Sequence, residues 1–504
     1  MSSIISVPGS VDPTRQAADC DLVLRHGTIV DGSGAPARVG DVALKGDRIV
    51  AVGYVRPSAD VPEIDVGGLI VAPGFIDVHT HDDRMILRAP QALPKVTQGV
   101  TTVVTGNCGI SLAPYCAPGA VQAPLDLLSD DPAEFFESFE SFLSAVEVAS
   151  PAVNVVPLVG HMALRASVGV TKGEPATDDD VARMRDMLAG ALAQGAFGFS
   201  TGLAYPLSRH ASTSEVIALA AEAGRAGGIY TTHMRDEGVG VSQSLEESFL
   251  TAREAGVRLV ISHHKCLGAK VWGRSVRTLA AIDEARQTID LAIDAYPYTA
   301  SSTVLLPGKL KWSKETFVTW STPFPEVAGR RVEEIAAEWG CTQEEAAERL
   351  MPAGAIYVTM DEADVRRILQ HPLCMIGSDG LPHDRHPHPR LWGTFPRVLG
   401  HYSRDVGLFT IEQAVHRMTG LPARHFGIPD RGLIQAGFKA DLCVFDPIHV
   451  ADRATFRDPT QAAVGILHVF VNGVPVLRNG VPTGAGPGHA ILNPNLRDPS
   501  GGPP

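Results

Sequence analysis

Between residues 71 and 425, short apolar runs alternate with longer stretches in which apolar residues recur every three or four positions. The short runs fall at 74–79, 101–105, 154–160, 196–200, 229–233, 258–263, 290–295 and 374–378. Brief, almost wholly apolar segments predict strands buried on both faces, as in a parallel sheet. The longer stretches include 132–148, 178–194, 213–226, 243–255 and 276–286, and their spacing predicts amphipathic helices. Asp178-Asp179-Asp180 and Ser212-Thr213 offer short polar side chains to free backbone N–H groups, a helix-start pattern. Eight strand–helix units predict an α/β fold, a TIM-type (β/α)8 barrel over residues 71–425.

The two ends follow a different rhythm. Residues 21–25, 40–44, 48–53, 440–446 and 467–473 read as short strands between turns, and Asn472-Gly473 is a hairpin signal. Residues 1–70 and 426–490 are therefore expected to build one small β-sandwich domain together. Residues 491–504, rich in Pro and Gly, are expected to form a loose tail. One stretch interrupts the barrel. Arg331-Val332-Glu333-Glu334-Ile335 and Gln343-Glu344-Glu345-Ala346 are acidic and helical in pattern. They predict an inserted helical subdomain at about 300–355. Loops that follow barrel strands build active sites, so both a lid and a packed surface subdomain remain open for it.

Composition narrows the function classes. The chain has 504 residues, 44% of them hydrophobic, with no run of about 18 apolar residues. No membrane span is expected, and the first residues lack the basic and apolar regions of a signal peptide. The net charge is -13 without a basic stripe, which argues against nucleic acid as a partner. Seven scattered cysteines suit a reducing compartment, and the cytoplasm is the expected location. Oligomeric state is not legible.

The chemistry lies at the ends of the expected strands. Gly74-Phe75-Ile76-Asp77-Val78-His79-Thr80-His81 ends in two histidines at i, i+2, which project to one face of a strand. The second strand is followed by Asn107-Cys108-Gly109, the fifth ends in His233, the sixth in His263 and His264, and the eighth in Ser378-Asp379-Gly380. A lone cysteine is usually a small buried hydrophobe, and a lone strand-end aspartate is often a helix cap. In a (β/α)8 barrel, however, all these ends converge on one mouth. Imidazole, thiolate and carboxylate donors gathered there predict a divalent transition metal such as zinc. The implied reaction is metal-assisted hydrolysis of an amide-like bond. Asp379 would take a proton from water and later give it to the leaving amine.

These residues resemble the amidohydrolase superfamily, and within it the D-aminoacylase (N-acyl-D-amino-acid deacylase) family. The stretches that carry the resemblance are Thr105-Gly106-Asn107-Cys108-Gly109, Thr232-His233-Met234-Arg235, Ile261-Ser262-His263-His264-Lys265, Asp294-Ala295-Tyr296-Pro297-Tyr298, Gly377-Ser378-Asp379-Gly380 and His388-Pro389-Arg390-Leu391-Trp392. Many superfamily members carry a bridging lysine after strand 4, whereas Phe197-Gly198-Phe199-Ser200-Thr201-Gly202-Leu203 has none. The resemblance implies one tightly held zinc on Cys108, His233 and His263, and a second, weaker position near His79, His81 and Asp379. It implies a small N-acyl-D-amino acid as substrate, with Lys265, Tyr296 and Arg390 holding its carboxylate. Preference for the D form rests on this resemblance alone. Arg209, Lys309 and Lys311 are unplaced candidates for contacts to the substrate side chain. His264 reads as structural, and His161, His383, His386 and Arg235 stay unassigned. A cyclic-amide hydrolase of the hydantoinase kind and a non-catalytic scaffold of the same fold are the alternatives.

Overall fold

The computed structural model describes residues 16–17 and 19–495. Eight strands form the barrel: Phe75–Asp77, Val100–Thr105, Asn154–Pro157 continued by Val159–Gly160, Gly198–Gly202, Ile229–His233, Arg258–Ile261, Leu291–Ala295 and Cys374–Ile376. They are barrel strands 1 to 8 below. Neighbours pair in parallel around the ring. Strand 3 divides its pairing at Leu158, with Asn154–Pro157 on strand 2 and Val159–Gly160 on strand 4. The eighth strand closes on the first through a parallel bridge between Thr80 and Gly380, and the Asp379 amide donates to the His79 carbonyl at 2.8 Å.

Alternate strand residues serve two cores, as the two-residue period requires. Ile76, Val156, Phe197, Val260 and Met375 share one apolar cluster with Leu421, Phe426 and Ile428. Phe75, Val103, Phe199, Leu259 and Ile293 belong to the larger cluster, which includes Leu188, Leu219, Leu245 and Ile282 of the surrounding helices. Those helices are Asp178–Ala193, Thr213–Arg225, Val241–Ala255 and Ser275–Ala285. Ser212 caps its helix as expected. At Asp178 the cap is Thr177, in a reciprocal box with Asp180, and the three aspartates fill the first turn, where the helix dipole favours negative charge. The stretch expected as one helix over 132–148 begins with a separate short turn at Pro132–Glu134. Ser138 then caps the helix Phe139–Ala149.

Strands from both ends pair in one continuous nine-stranded sheet. Ile70–Pro73 joins them, pairing with Leu22–Ile29 on one side and Leu442–Phe445 on the other. Leu24, Val42, Ile49, Leu442 and Phe470 share its core. Asn472 (φ 48°) and Gly473 (φ 80°) make the tight hairpin turn, with the two positive φ values that such a turn needs. The expected tail needs correcting at its start. Ile491 and Asn493 are buried, and their amides donate to Val155 and Gly195 carbonyls, so those residues are packed against the barrel. Residues 496–504 lie outside the described residues.

The insertion also departs from expectation. It is not purely helical. Ala300–Val304, Thr316–Ser321 and Ala353–Val358 form an antiparallel sheet with Ala353–Val358 in the middle. Helices Val332–Trp339 and Gln343–Leu350 cover it around a private core of Leu310, Val318, Ile335, Leu350 and Tyr357. The acidic helices dominate the sequence pattern there, whereas the strands are short and rich in Ser, Thr and Gly. The unit is tied to the segment after strand 8. The His386 amide donates to the Thr319 carbonyl at 3.0 Å, and His388 Nε2 lies 3.1 Å from the Ala300 carbonyl.

Candidate metal centre and substrate cleft

Cys108 sits on a turn that few sequences could form. Strand 2 ends at Thr105, and Gly106 (φ 74°), Cys108 (φ 54°) and Gly109 (φ 75°) all take positive φ. Ser200 braces this turn from strand 4. Its hydroxyl accepts from the Gly109 amide at 2.9 Å and donates to the Gly106 carbonyl. Gly202 is required beside it, since a Cβ there would lie 2.1 Å from the Cys108 carbonyl oxygen. The strand that lacks a bridging lysine thus shapes the cysteine turn. Among the described residues nine non-glycine positions have positive φ, and three of them are Cys108, His263 (φ 36°) and Asp379 (φ 51°). Strain of this kind concentrates where function over-determines the backbone.

The side chains converge as the strand ends predict. His79 Nε2 lies 3.2 Å from Cys108 Sγ and 3.6 Å from Asp379 Oδ1. The His81 Nε2 atom is 3.3 Å from that same oxygen. On the other side of the thiol, Cys108 Sγ is 3.4 Å from His263 Nε2, which is 3.1 Å from His233 Nδ1. Two donor sets result, His79–His81–Cys108–Asp379 and Cys108–His233–His263, and the donor atoms of each lie within 4.8 Å of one another. Cys108 belongs to both. The first two histidines lie just past strand 1, which ends at Asp77, rather than within it as expected. Asp77 ends the ladder by accepting the Ser378 amide at 2.8 Å and the His79 amide at 3.4 Å.

This arrangement fits a cation. Lone pairs on sulfur, nitrogen and carboxylate oxygen aimed at one another repel, and a metal ion among them satisfies all at once. Thiolate, imidazole and carboxylate together are the donors zinc takes. Burial acts to raise the Cys108 thiol, but the imidazoles of His79 and His263 outweigh it and hold the thiol well below its ordinary value. Burial acts likewise on Asp379, and the Arg390 guanidinium, ahead of His81 and His79, holds that carboxyl well below the usual range. Asp294, at the end of strand 7, supports the cluster from behind. It accepts the His263 amide at 2.7 Å, and its other oxygen is 3.4 Å from His79 Nδ1.

The donor atoms open into a narrow cleft lined by His81, Leu127, Tyr205, Lys265, Tyr296 and Asp379, with Ser301–Thr303 and Lys309 from the insertion. Lys265 and Tyr296 both line this cleft. Arg390 is fully buried behind them, 2.8 Å from Asp379 Oδ2 and with its guanidinium 4.5 Å from the Tyr296 ring centre. Lys309 lines the cleft, whereas Arg209 and Lys311 are exposed. His264 turns away to Thr278 at 2.8 Å, and His161 pairs with Glu215 at 2.9 Å.

The family model described as the amidohydrolase family matches residues 62–306 and 327–477. The chain belongs to that family. It is 51% identical to a D-aminoacylase of Alcaligenes xylosoxydans xylosoxydans over 94% of this chain and 97% of that relative. A D-aminoacylase solved for the functional role of its binuclear metal centre superimposes with a TM-score of 0.90 at 51% identity, over 94% of this chain and all of that one. The N-acyl-D-glutamate deacylase of Bordetella bronchiseptica, complexed with zinc and a phosphonate inhibitor, gives 0.91 at 47% identity, again over 94% and 100%. A dihydropyrimidinase of Brevibacillus agri shares the fold at a TM-score of 0.59 and 17% identity, over 95% of this chain and 99% of that one. In this amidohydrolase, sequence reasoning passed over Glu237, Tyr205 and Lys95. Glu237 lies in a charged loop that reads as solvated. Lys95, fully buried, joins Asp77 at 2.8 Å to Ser378 at 2.9 Å across the closing strands. A lysine on a four-residue helix gives no such signal in sequence.

Proposed function

We propose that this amidohydrolase is a zinc-dependent N-acyl-D-amino-acid deacylase, which hydrolyses a linear amide to a D-amino acid and a carboxylate. One observation carries the reading: two donor sets sharing Cys108 Sγ open into the cleft that holds Lys265 and Tyr296. Cys108, His233 and His263 would hold the tight ion, and His79, His81 and Asp379 the weaker one. Bound by such donors, zinc supplies Lewis acidity and lowers the pKa of water. Asp379 takes the proton of the attacking water and returns it to the leaving nitrogen. Arg390 fixes the Asp379 carboxylate through Oδ2, which leaves Oδ1 facing the site. Lys265 and the Tyr296 hydroxyl hold the α-carboxylate and aim the scissile carbonyl, and Arg390 adds positive charge behind them.

The D form and the acyl-amino acid class are supported by what the relatives are named for. Acidic side chains are supported by Lys309, which faces the cleft with no carboxylate in ion-pair range among the described residues. Seven cysteines scattered along 504 residues, too sparse for a disulfide framework, support a reducing, cytoplasmic setting. Among the described residues, no helix is long and apolar enough to cross a membrane. The test is chelation and restoration. Release of amine from N-acetyl-D-glutamate should stop when zinc is removed and return when about one equivalent is restored. Full turnover by metal-free protein would refute the reading.

A further inference from the structure

Glu237 follows barrel strand 5 in a loop, yet it is only 8% exposed. Its Oε1 lies 2.8 Å from His263 Nδ1 and 2.6 Å from Lys265 Nζ. The third side of this triangle is also short, with Lys265 Nζ 2.8 Å from His263 Nδ1. The three contacts make conflicting demands on one ring. A neutral imidazole carries a single proton, and an ammonium can only donate. If Lys265 donates to Nδ1, that nitrogen is bare and the ring proton sits on Nε2. The Nε2 atom is the one that faces Cys108 Sγ at 3.4 Å and His233 Nδ1 at 3.1 Å. A protonated nitrogen has no lone pair for a metal. If Nδ1 keeps the proton and donates to Glu237, Nε2 is free to ligate. The ammonium and the carboxylate compete for one ring atom, and only the carboxylate leaves His263 a ligand.

We infer that Glu237 is a positioning residue that couples the metal ligand His263 to the carboxylate anchor Lys265. Through Oε1 it accepts from His263 Nδ1–H, which turns Nε2 toward Cys108. The same oxygen takes one N–H of the ammonium, which keeps Lys265 from donating to the ring and leaves its other N–H groups for the cleft. His79 supplies the contrast. Its Nδ1 faces Asp294, whose only ion-pair partner among the described residues is His79. No ammonium contests that contact.

The inference rests on the zinc deacylase reading. Its test is zinc affinity, measured by chelator competition on the full chain as wild type, Glu237→Gln, Lys265→Met and the double variant. Partners that orient a ligand histidine change metal affinity by about 10–100-fold. Glu237→Gln should weaken zinc by about that factor, because the unpaired ammonium then captures Nδ1. Lys265→Met should hold zinc like wild type. The double variant should recover most of the lost affinity, because the competing donor is gone. Damage to the fold would not be repaired by a second truncation. Glu237→Gln binding zinc as tightly as wild type would overturn the inference, as would a double variant no tighter than Glu237→Gln. Wild-type protein that binds no zinc would overturn the deacylase reading as well.

Discussion

Lys265→Met removes one ammonium and keeps the length of the side chain. In the fold, Lys265 Nζ donates to Glu237 Oε1 at 2.6 Å and lies 5.7 Å from the Tyr296 ring centre. One of its three N–H groups is committed to Glu237, and the others are available to a substrate carboxylate. A charge-assisted hydrogen bond of this kind contributes about 1.5–3 kcal/mol. At about 1.36 kcal/mol per decade, kcat/KM for an N-acyl-D-amino acid should fall about 10- to 150-fold. Because the anchor also aims the scissile carbonyl, KM should rise and kcat should fall together. The assay pairs an N-acetyl-D-amino acid with the matching N-acetyl amine, which lacks the α-carboxylate. Wild type should strongly prefer the acid, and the variant should lose most of that preference. A variant that discriminates between the two compounds as well as wild type would refute the anchor, and Arg390 would then be its replacement.

Cys108→Ala should lose both the tight zinc and activity, measured by metal content after gel filtration; full zinc retention would remove the thiol from the ligand set. Asp379→Ala should cut kcat by about a hundredfold or more while the tight zinc remains, and near-normal turnover would contradict its role as proton carrier. Asp384 gives a pH dependence. Burial pushes its carboxyl from 3.8 up to about 7, against the opposing pull of the Thr319 hydroxyl and the Arg390 charge. A raised folded-state value means that its contribution is full below about pH 4 and is lost as pH rises through about 7. Urea midpoints of Asp384→Asn and wild type should therefore diverge in favour of the variant between pH 4 and pH 8. A constant difference across that range would contradict the assignment.

Most of the barrel is legible because its strands are short apolar runs and its helices carry clear starts, as at Ser212. The ligand candidates are legible for a related reason: polar donors at the ends of otherwise apolar strands have no core role. The supporting groups are harder to see. Asp294 sits inside the apolar run Leu291–Ala295, a charged residue where a buried strand should have none, and that was a usable signal. Glu237 gives none, since Arg235-Asp236-Glu237-Gly238 reads as a solvated turn, and only the approach of His263 and Lys265 gives it a task. The insertion hides its sheet for another reason. Ala353–Val358 is buried on both faces and so shows no two-residue alternation, and its opening Ala-Gly-Ala has little strand preference.

The central claim is that Cys108, the four histidines and Asp379 serve deacylation of N-acyl-D-amino acids. The most direct measurement is kcat/KM of the zinc-loaded protein on paired N-acetyl-D and N-acetyl-L forms of methionine, leucine, aspartate and glutamate. The account predicts turnover of the D forms, acidic ones included, and little or none of the L forms. Equal turnover of both series, or hydrolysis confined to cyclic amides such as hydantoins, would contradict it.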